Sequence, residues 1–484
     1  DKKPPNALVL SDAIQTEGDL SVALNGAYAS LRNTNLYGRT LPVKGDLMAD
    51  NTYVTTASSG RYLSMNNFVF TSADGDVGGV WTSAYAAIKN ANTVINAGIS
   101  ASANVNQYVG EALAIRALMH FELVRNFAKP YTVDPNAPGI PIVTSFDQNA
   151  QYSRGTVQQV YTQIINDLEQ AYSLMTLYRG TGYFSKYAAR ALEARVYQNM
   201  GDWAHAKTVA LDVVNNSGWV LLPAASYVSP SGNLGTSGSE TVNAPPCKVP
   251  NTYSPGGYWA NPTAQTSTKN ETFFEVVSDL QTNNGFDQIG FIYLNVGGGY
   301  GDLLGTDDLY NLYSSTDVRR GLMPQAPPTP VGCTGQYRSG QAGNIYLCYK
   351  YPNPAGSGDK DDTKIIRLSD VILILAEAYY NTGDPANALV QLNKVAQQRD
   401  PSFAGYSSSG AQLLTDILNE RRKELAFEGN RYWDLVRLKM SWTKIKNLNP
   451  LTTVSVATGN PGLLFPIPQS ELDNNPNMTQ NSGY

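Results

Sequence analysis

The chain has 484 residues, more than one hydrophobic core ordinarily serves, so two lobes, or one core with a large appended region, are expected. Hydrophobic residues make up 42% and charged residues only 15%, with a formal net charge of −5. Such a soluble, globular composition lacks the clustered Lys and Arg of a polyanion binder, which excludes nucleic acid as the expected partner. The first helix is read at residues 18–33, where Leu20, Leu24, Ala27, Tyr28 and Leu31 keep i, i+3, i+4 spacing. Trp81 to Ala97 and Asn106 to Phe127 follow as helices, and Lys129-Pro130 ends the second because proline cannot continue the ladder. APGIPIV reads as an extended crossover before a helix from Thr156 to Leu177.

Tyr183 to Asn216 and Lys364 to Arg399 each read as a helical pair, and the two superimpose. AxxYQNMGDWAHA from Ala194 matches AxxYYNTGDPANA from Ala376 without a gap. Small Ala residues allow close helix approach, Gly ends the first helix in a left-handed conformation, and Asp202 and Asp384 are placed to cap the second. These are the features of a tetratricopeptide hairpin, which must stack to bury its faces. At least one long helix is expected over Ala411 to Met440.

Residues 221–362 differ, being dense in Gly, Pro, Ser, Asn and Tyr with no helical period. The runs 272–277, 290–294 and 345–349 read as short strands. The expected organisation is mainly α: a helical region at 1–220, an irregular loop-rich lobe at 221–362 and a second helical region at 363–484. A loop-rich lobe on a rigid scaffold is the usual address of binding.

Chemistry-bearing motifs are sparse. His120 and His205 are the only histidines, and both fall in helical segments. Cys247, Cys333 and Cys348 show no metal-ligand spacing. A Cys333–Cys348 bridge would close a hairpin-like segment, and Cys247 pairing with either is the alternative. GGGYGD lacks the Lys-Ser/Thr of a phosphate loop and reads instead as a tight loop presenting Tyr300. Asp359, Asp361 and Asp362 are the one candidate set for a structural calcium, though their spacing matches no established loop. No other cofactor is expected. In ERRKELAFEGNRYWDL, every carboxylate has an Arg within four positions. That pattern favours an ion-pair network between helices over an acid–base pair. No apolar run is long enough to span a membrane, and DKKPPNA reads as a polar leader with no signal peptide.

Glu420 to Leu438 (ERRKELAFEGNRYWDLVRL), the ending LLFPIPQSELDNNPNMTQNSGY, and AEAYYNTGD together resemble the SusD/RagB family of outer-membrane nutrient-uptake lipoproteins. VWTSAYAAIKNANTVI and GEALAIRALMHFELVRNF resemble that family's early helices, and DKKP the segment after its lipidated cysteine. That cysteine does not precede DKKP in this sequence, so the resemblance implies a trimmed form lacking its lipid anchor. It implies four tetratricopeptide-like hairpins, cell-surface exposure on the outer membrane, and a non-catalytic protein that captures oligosaccharides. Delivery would be to a TonB-dependent, SusC-like transporter. A peptide receptor of the same family and a tetratricopeptide protein–protein scaffold are the alternatives. A glycoside hydrolase would need two carboxylates flanking a sugar, and no such pair is identified.

Sugar binding needs flat rings for the pyranose face and amides, carboxylates or Arg for its hydroxyls. Asn51, Tyr53, Arg61 and Tyr62 form one candidate group, directly before the helix of Trp81. Tyr258, Trp259 and Asn261 form a second, flanked by glycines, and Phe286 and Tyr300 a third. Trp203, Trp433 and Trp442 read as structural.

Overall fold

The computed structural model describes residues 14–484 except 146, 148, 229–257, 260–269, 280, 295–298, 327–342, 353–360 and 449. Helix α1 (Glu17–Leu31) opens with a capping box, Thr16 bonding the Asp19 amide and Asp19 reaching back to Thr16. It packs on α3 (Gly75–Ile95) and α4 (Ala103–Phe127), while the short α2 (Thr40–Leu47) lies between α1 and α3 in sequence. α4 is buried on nearly every side, which its run of Ala and Leu permits. Then α5 (Val157–Leu174), α6 (Lys186–Met200), α7 (Trp203–Asn216), α8 (Leu368–Asn381) and α9 (Pro385–Arg399) each pack on the helix before. α10 (Gly410–Glu424) packs on α8 and α9, and α11 (Arg431–Arg437) on α2. The scaffold is thus one of stacked, tetratricopeptide-like hairpins.

The repeat read from sequence has the expected physical basis. Gly201 and Gly383 adopt φ of +73° and +80°, the left-handed region where glycine has no Cβ to clash. Asp202 then accepts from the His205 amide, and Asp384 from the Asn387 amide. Ala194, Ala206, Ala376 and Ala388 are all fully buried. Here α7 packs directly on α8, so the two hairpins are neighbours in space.

The strands tie the middle of the chain to both helical regions. β1 (Thr52–Val54) pairs antiparallel with β3 (Leu303–Gly305), placing Tyr53 opposite Leu304. That sheet runs β1-β3-β5-β4, with β4 at Gln325–Ala326 and β5 at Ile345–Tyr346. β2 (Thr272–Val276) pairs with β6 (Thr363–Arg367), and β7 (Trp442–Leu448) with β8 (Leu451–Val456). One large core contains residues from all three segments. No described helix is long and apolar enough to cross a membrane.

Three local expectations change. Residues 364–367 are strand β6, ahead of the helical pair. Residues 290–294 are mostly a short helix, Ile289–Tyr293, since a short apolar run carries no decisive period. Only 345–346 of the 345–349 run form a strand. The expected long helix within 411–440 is α10, followed after a break by α11, with Phe427 and Gly429 at φ of +65° and +76°. The break lets α2 dock: a Cβ on Gly45 would lie 1.9 Å from the Gly429 carbonyl oxygen. Asp46 accepts from the amides of Phe427 and Gly429 at 3.1 and 2.7 Å. This contact fixes α2, and with it Arg39 at its start.

Candidate functional site

The pairing of β1 with β3 draws the 55–62 loop against residues 300–302. The Thr55 amide donates to the Asp302 carbonyl at 2.8 Å, and the Asp302 carboxylate accepts from the amide and hydroxyl of Ser59 at 2.6 and 2.7 Å. Arg61 then lies with its guanidinium 3.8 Å from the centre of the Tyr300 ring. A third segment closes the group. Gly285, at φ +55°, begins a 3-10 turn that projects Phe286 and Asp287. Phe286 is 55% exposed and leans on Phe291 at 5.1 Å.

Asp287 Oδ1 accepts from Arg39 Nη1 at 2.5 Å and from Arg61 Nη2 at 3.3 Å. Arg39 also sits over the Tyr62 ring. The result is a surface with a half-buried Tyr, an exposed Phe, two guanidiniums and one carboxylate. Rings supply apolar faces, and the charged groups supply donors and acceptors for hydroxyls. Tyr62 itself adopts φ +61°, a strained conformation for a bulky residue that often accompanies functional surfaces.

Comparison with known proteins bears on the fold that carries this surface. Residues 332–484 match the model of the SusD family, and residues 1–198 match a SusD-like model described as "Starch-binding associating with outer membrane". The chain belongs to the SusD/RagB family. SusD-like protein P2 of Formosa agariphila is 27% identical, over all of this chain and 96% of its own length. A SusD superfamily protein of Bacteroides thetaiotaomicron superposes with a TM-score of 0.77 at 28% identity, covering 96% of this chain and all of its own. A Bacteroides vulgatus protein provisionally described as sugar-binding gives 0.79 at 28%, covering 98% and 99%.

Within this SusD-like fold, the residues expected to touch a sugar separate into two sets. Arg61, Phe286 and Tyr300 come together at the surface just described. Six others are corrected, because packing has removed them from solvent. Asn51 is fully buried, donating to Asp46 and accepting from Arg422. Tyr53 is buried within β1, and Tyr62 lies beneath Arg39 at 4% exposure. Trp81 is clamped between Phe127 and Tyr85 at 4.9 and 5.0 Å. Tyr258 and Trp259 belong to a second, smaller core with Tyr227, Val228 and Leu322. Asn261 lies outside the described residues. Arg39 and Asp287 were not anticipated as site residues. Asp287 does sit beside Phe286 in sequence, whereas Arg39 has no local signal and arrives through the docking of α2.

Tyr258 and Trp259 are buried for an electrostatic reason. Beneath them lies a layer of ion pairs: Arg367 to Glu424 at 2.9 Å and Glu428 at 2.7 Å, Arg399 to Glu424 at 3.0 Å, and Arg319 to Glu424 at 2.9 Å and Glu420 at 2.7 Å. Lys350, Lys364 and Arg367 lie against the Trp259 ring, and Arg399 against Tyr227. The rings roof the charges and strengthen them by excluding water.

The conspicuous charged block is therefore structural. Burial raises the Glu424 carboxyl, but Arg399, Arg367 and Arg319 overcome this and hold it well below the usual range. Arg421 and Arg437 do the same for Asp434. Neither histidine is placed for chemistry: burial pushes His120 down to about 3, and exposed His205 pairs with the capping Asp202. Cys348 is fully buried, and Cys247 and Cys333 lie outside the described residues. Of the candidate calcium ligands, Asp362 accepts from the Ser278 amide, Asp361 is buried, and Asp359 lies outside the described residues.

Proposed function

We propose that this chain is a non-catalytic receptor, lipid-anchored at the outer-membrane surface, that captures neutral oligosaccharides and passes them to a TonB-dependent transporter. The observation that carries the reading is the Arg61–Tyr300 stack beside exposed Phe286, an aromatic surface with polar groups at its margin. Family membership supports it, as do the starch-binding description of the matched model and the relative provisionally described as sugar-binding. The one carboxylate of the surface, Asp287, is already engaged by two guanidiniums, and the nearby Asp302 is buried and held by Ser59, so neither is set out as a proton donor.

The test is calorimetric titration of malto-, cello-, xylo-, manno- and chitohexaose against the wild type and Tyr300→Ala. One sugar class should saturate, with a Kd roughly in the micromolar to millimolar range typical of few, wet contacts. Tyr300→Ala should weaken it at least about tenfold, the loss of roughly 1.4 kcal/mol. Binding of a peptide and no sugar would replace this reading with the peptide receptor. Reducing ends released on long incubation would overturn the non-catalytic assignment.

A further inference from the structure

The loop that carries Phe286 and Asp287 also borders a second cleft, of about 460 Å³. Asn25 and Tyr28 of α1, Arg32 at its C-cap, Arg179 and Tyr183 of the α5–α6 connection, and Asp279 line it, together with β2. We propose that this cleft is a second saccharide site, independent of the Arg61–Tyr300 surface and selective for neutral sugar units. The inference rests on the carbohydrate reading above.

The cleft has the two components that sugar recognition needs. Tyr28 and Tyr183 meet edge to face, with centroids 5.2 Å apart and planes at 87°, so they set two ring planes at right angles. Their positions are fixed from behind. The Tyr28 hydroxyl donates to Glu111 and accepts from the Phe184 amide, both at 2.8 Å. Arg179 stacks 4.0 Å from the Tyr183 ring centre and grips both Glu111 oxygens through Nη1 at 3.0 and 2.9 Å. Such preorganisation lowers the entropy cost of binding.

The polar groups facing the cleft are, by contrast, uncommitted. Arg32 spends only its Nε, on the Val277 carbonyl at 2.7 Å, and its two terminal nitrogens have no hydrogen-bond partner among the described residues. The Tyr183 hydroxyl and the exposed Asn25 amide likewise have none. Asp279 uses Oδ1 for Gln281 and Thr282 and leaves Oδ2 open. Donors and an acceptor at the mouth of an aromatic recess suit vicinal hydroxyls.

Charge decides between neutral and acidic sugars. The two guanidiniums, Arg32 and Arg179, are faced by Asp279, Asp362 and Glu111, and Glu275 of β2 is balanced by Lys364 at 3.6 Å. No positive excess remains to offset the desolvation of a uronate or sulfate.

The experiment titrates the best hexasaccharide from the panel against the wild type, Tyr183→Ala, Arg32→Gln and Tyr300→Ala. The expected stoichiometry is two molecules per wild-type chain and one for each of Tyr183→Ala and Tyr300→Ala, with the site that persists in one variant being the one lost in the other. Arg32→Gln should weaken only the cleft event, by about fivefold or more, and guards against misfolding of Tyr183→Ala. One molecule per chain, lost in Tyr300→Ala but intact in Tyr183→Ala and Arg32→Gln, overturns the second site and leaves the receptor reading standing. One molecule lost in either tyrosine variant means a single continuous site and overturns independence. No binding of any panel sugar overturns both readings.

Discussion

Arg61 holds its guanidinium 3.8 Å from the centre of the Tyr300 ring, with Asp287 as its second tether. A cation on one face of the ring keeps it oriented, an effect worth about 0.5–1 kcal/mol at an exposed site. Arg61→Ala should therefore weaken glycan binding about two- to fivefold while leaving the urea midpoint within error, because the side chain is 31% exposed and the pair lies at the surface. Equal losses of binding and of thermal stability would show a structural role instead.

The same surface predicts a weak response to salt. A neutral sugar releases no counterions, and the guanidiniums of Arg39 and Arg61 are already shared with Asp287. Raising NaCl from about 0.05 to 0.5 M should change the Kd less than about twofold, although it shortens the screening length severalfold. A steep decline would mean that the ligand carries charge.

Trp259 and Tyr300 should part company on mutation. Trp259 is 2% exposed and roofs Lys350 and Arg367, so Trp259→Ala should cost about 3–5 kcal/mol in urea unfolding. Tyr300→Ala should stay within about 0.5–1 kcal/mol while weakening glycan binding at the Arg61–Tyr300 surface. Comparable destabilisation by both would place Tyr300 in the core and remove the platform.

The contrast shows what the sequence made legible. The hairpin repeat was readable because each of its parts acts locally: Gly201 turns the chain, Asp202 caps the next helix, and the alanines permit contact. The ion pairs of the ERRKELAFEGNRYWDL block were readable in kind, because Arg and Glu recur at helical spacing. Their partners Arg319, Arg367 and Arg399 were not, since they come from distant segments. For the same reason Trp259 was misread. A ring just after a glycine pair in a polar segment has the same local sequence whether it faces water or covers buried charge. Arg39 and the Tyr28–Tyr183 pair went unseen because only tertiary packing assembles them.

Glu424 accepts from three arginines in that buried layer, and its removal leaves them undercompensated. Glu424→Gln should cost about 3–5 kcal/mol at pH 7. The acid response follows from the sign of the shift. Glu424, Glu420, Asp370 and Asp434 all have folded-state values below their ordinary ones, so their stabilisation is present above about pH 4.5 and is lost as pH falls. The wild type should lose urea stability steeply below that point, and Glu424→Gln less steeply. Parallel acid profiles for the two proteins would refute the assignment.

Lys444 shows the opposite arrangement, a buried ammonium with no carboxylate partner among the described residues. Among the described residues its Nζ donates to the carbonyls of Leu47 and Asn66 alone, tying the β7–β8 hairpin to the end of α2. Burial pushes its pKa down from 10.5 to about 7. Between those values the unfolded chain binds a proton that the folded chain does not, so stability rises with pH across that window, by up to about 1.4 kcal/mol per unit. Below about pH 7 both states are protonated and the contribution is flat. Lys444→Met removes the titration altogether. Measured by urea midpoint at pH 6, 7, 8 and 9, the wild type should therefore gain on Lys444→Met only above neutrality. A difference that stays constant over the series would mean that the ammonium remains charged in the fold, solvated well enough by its two carbonyls to offset burial.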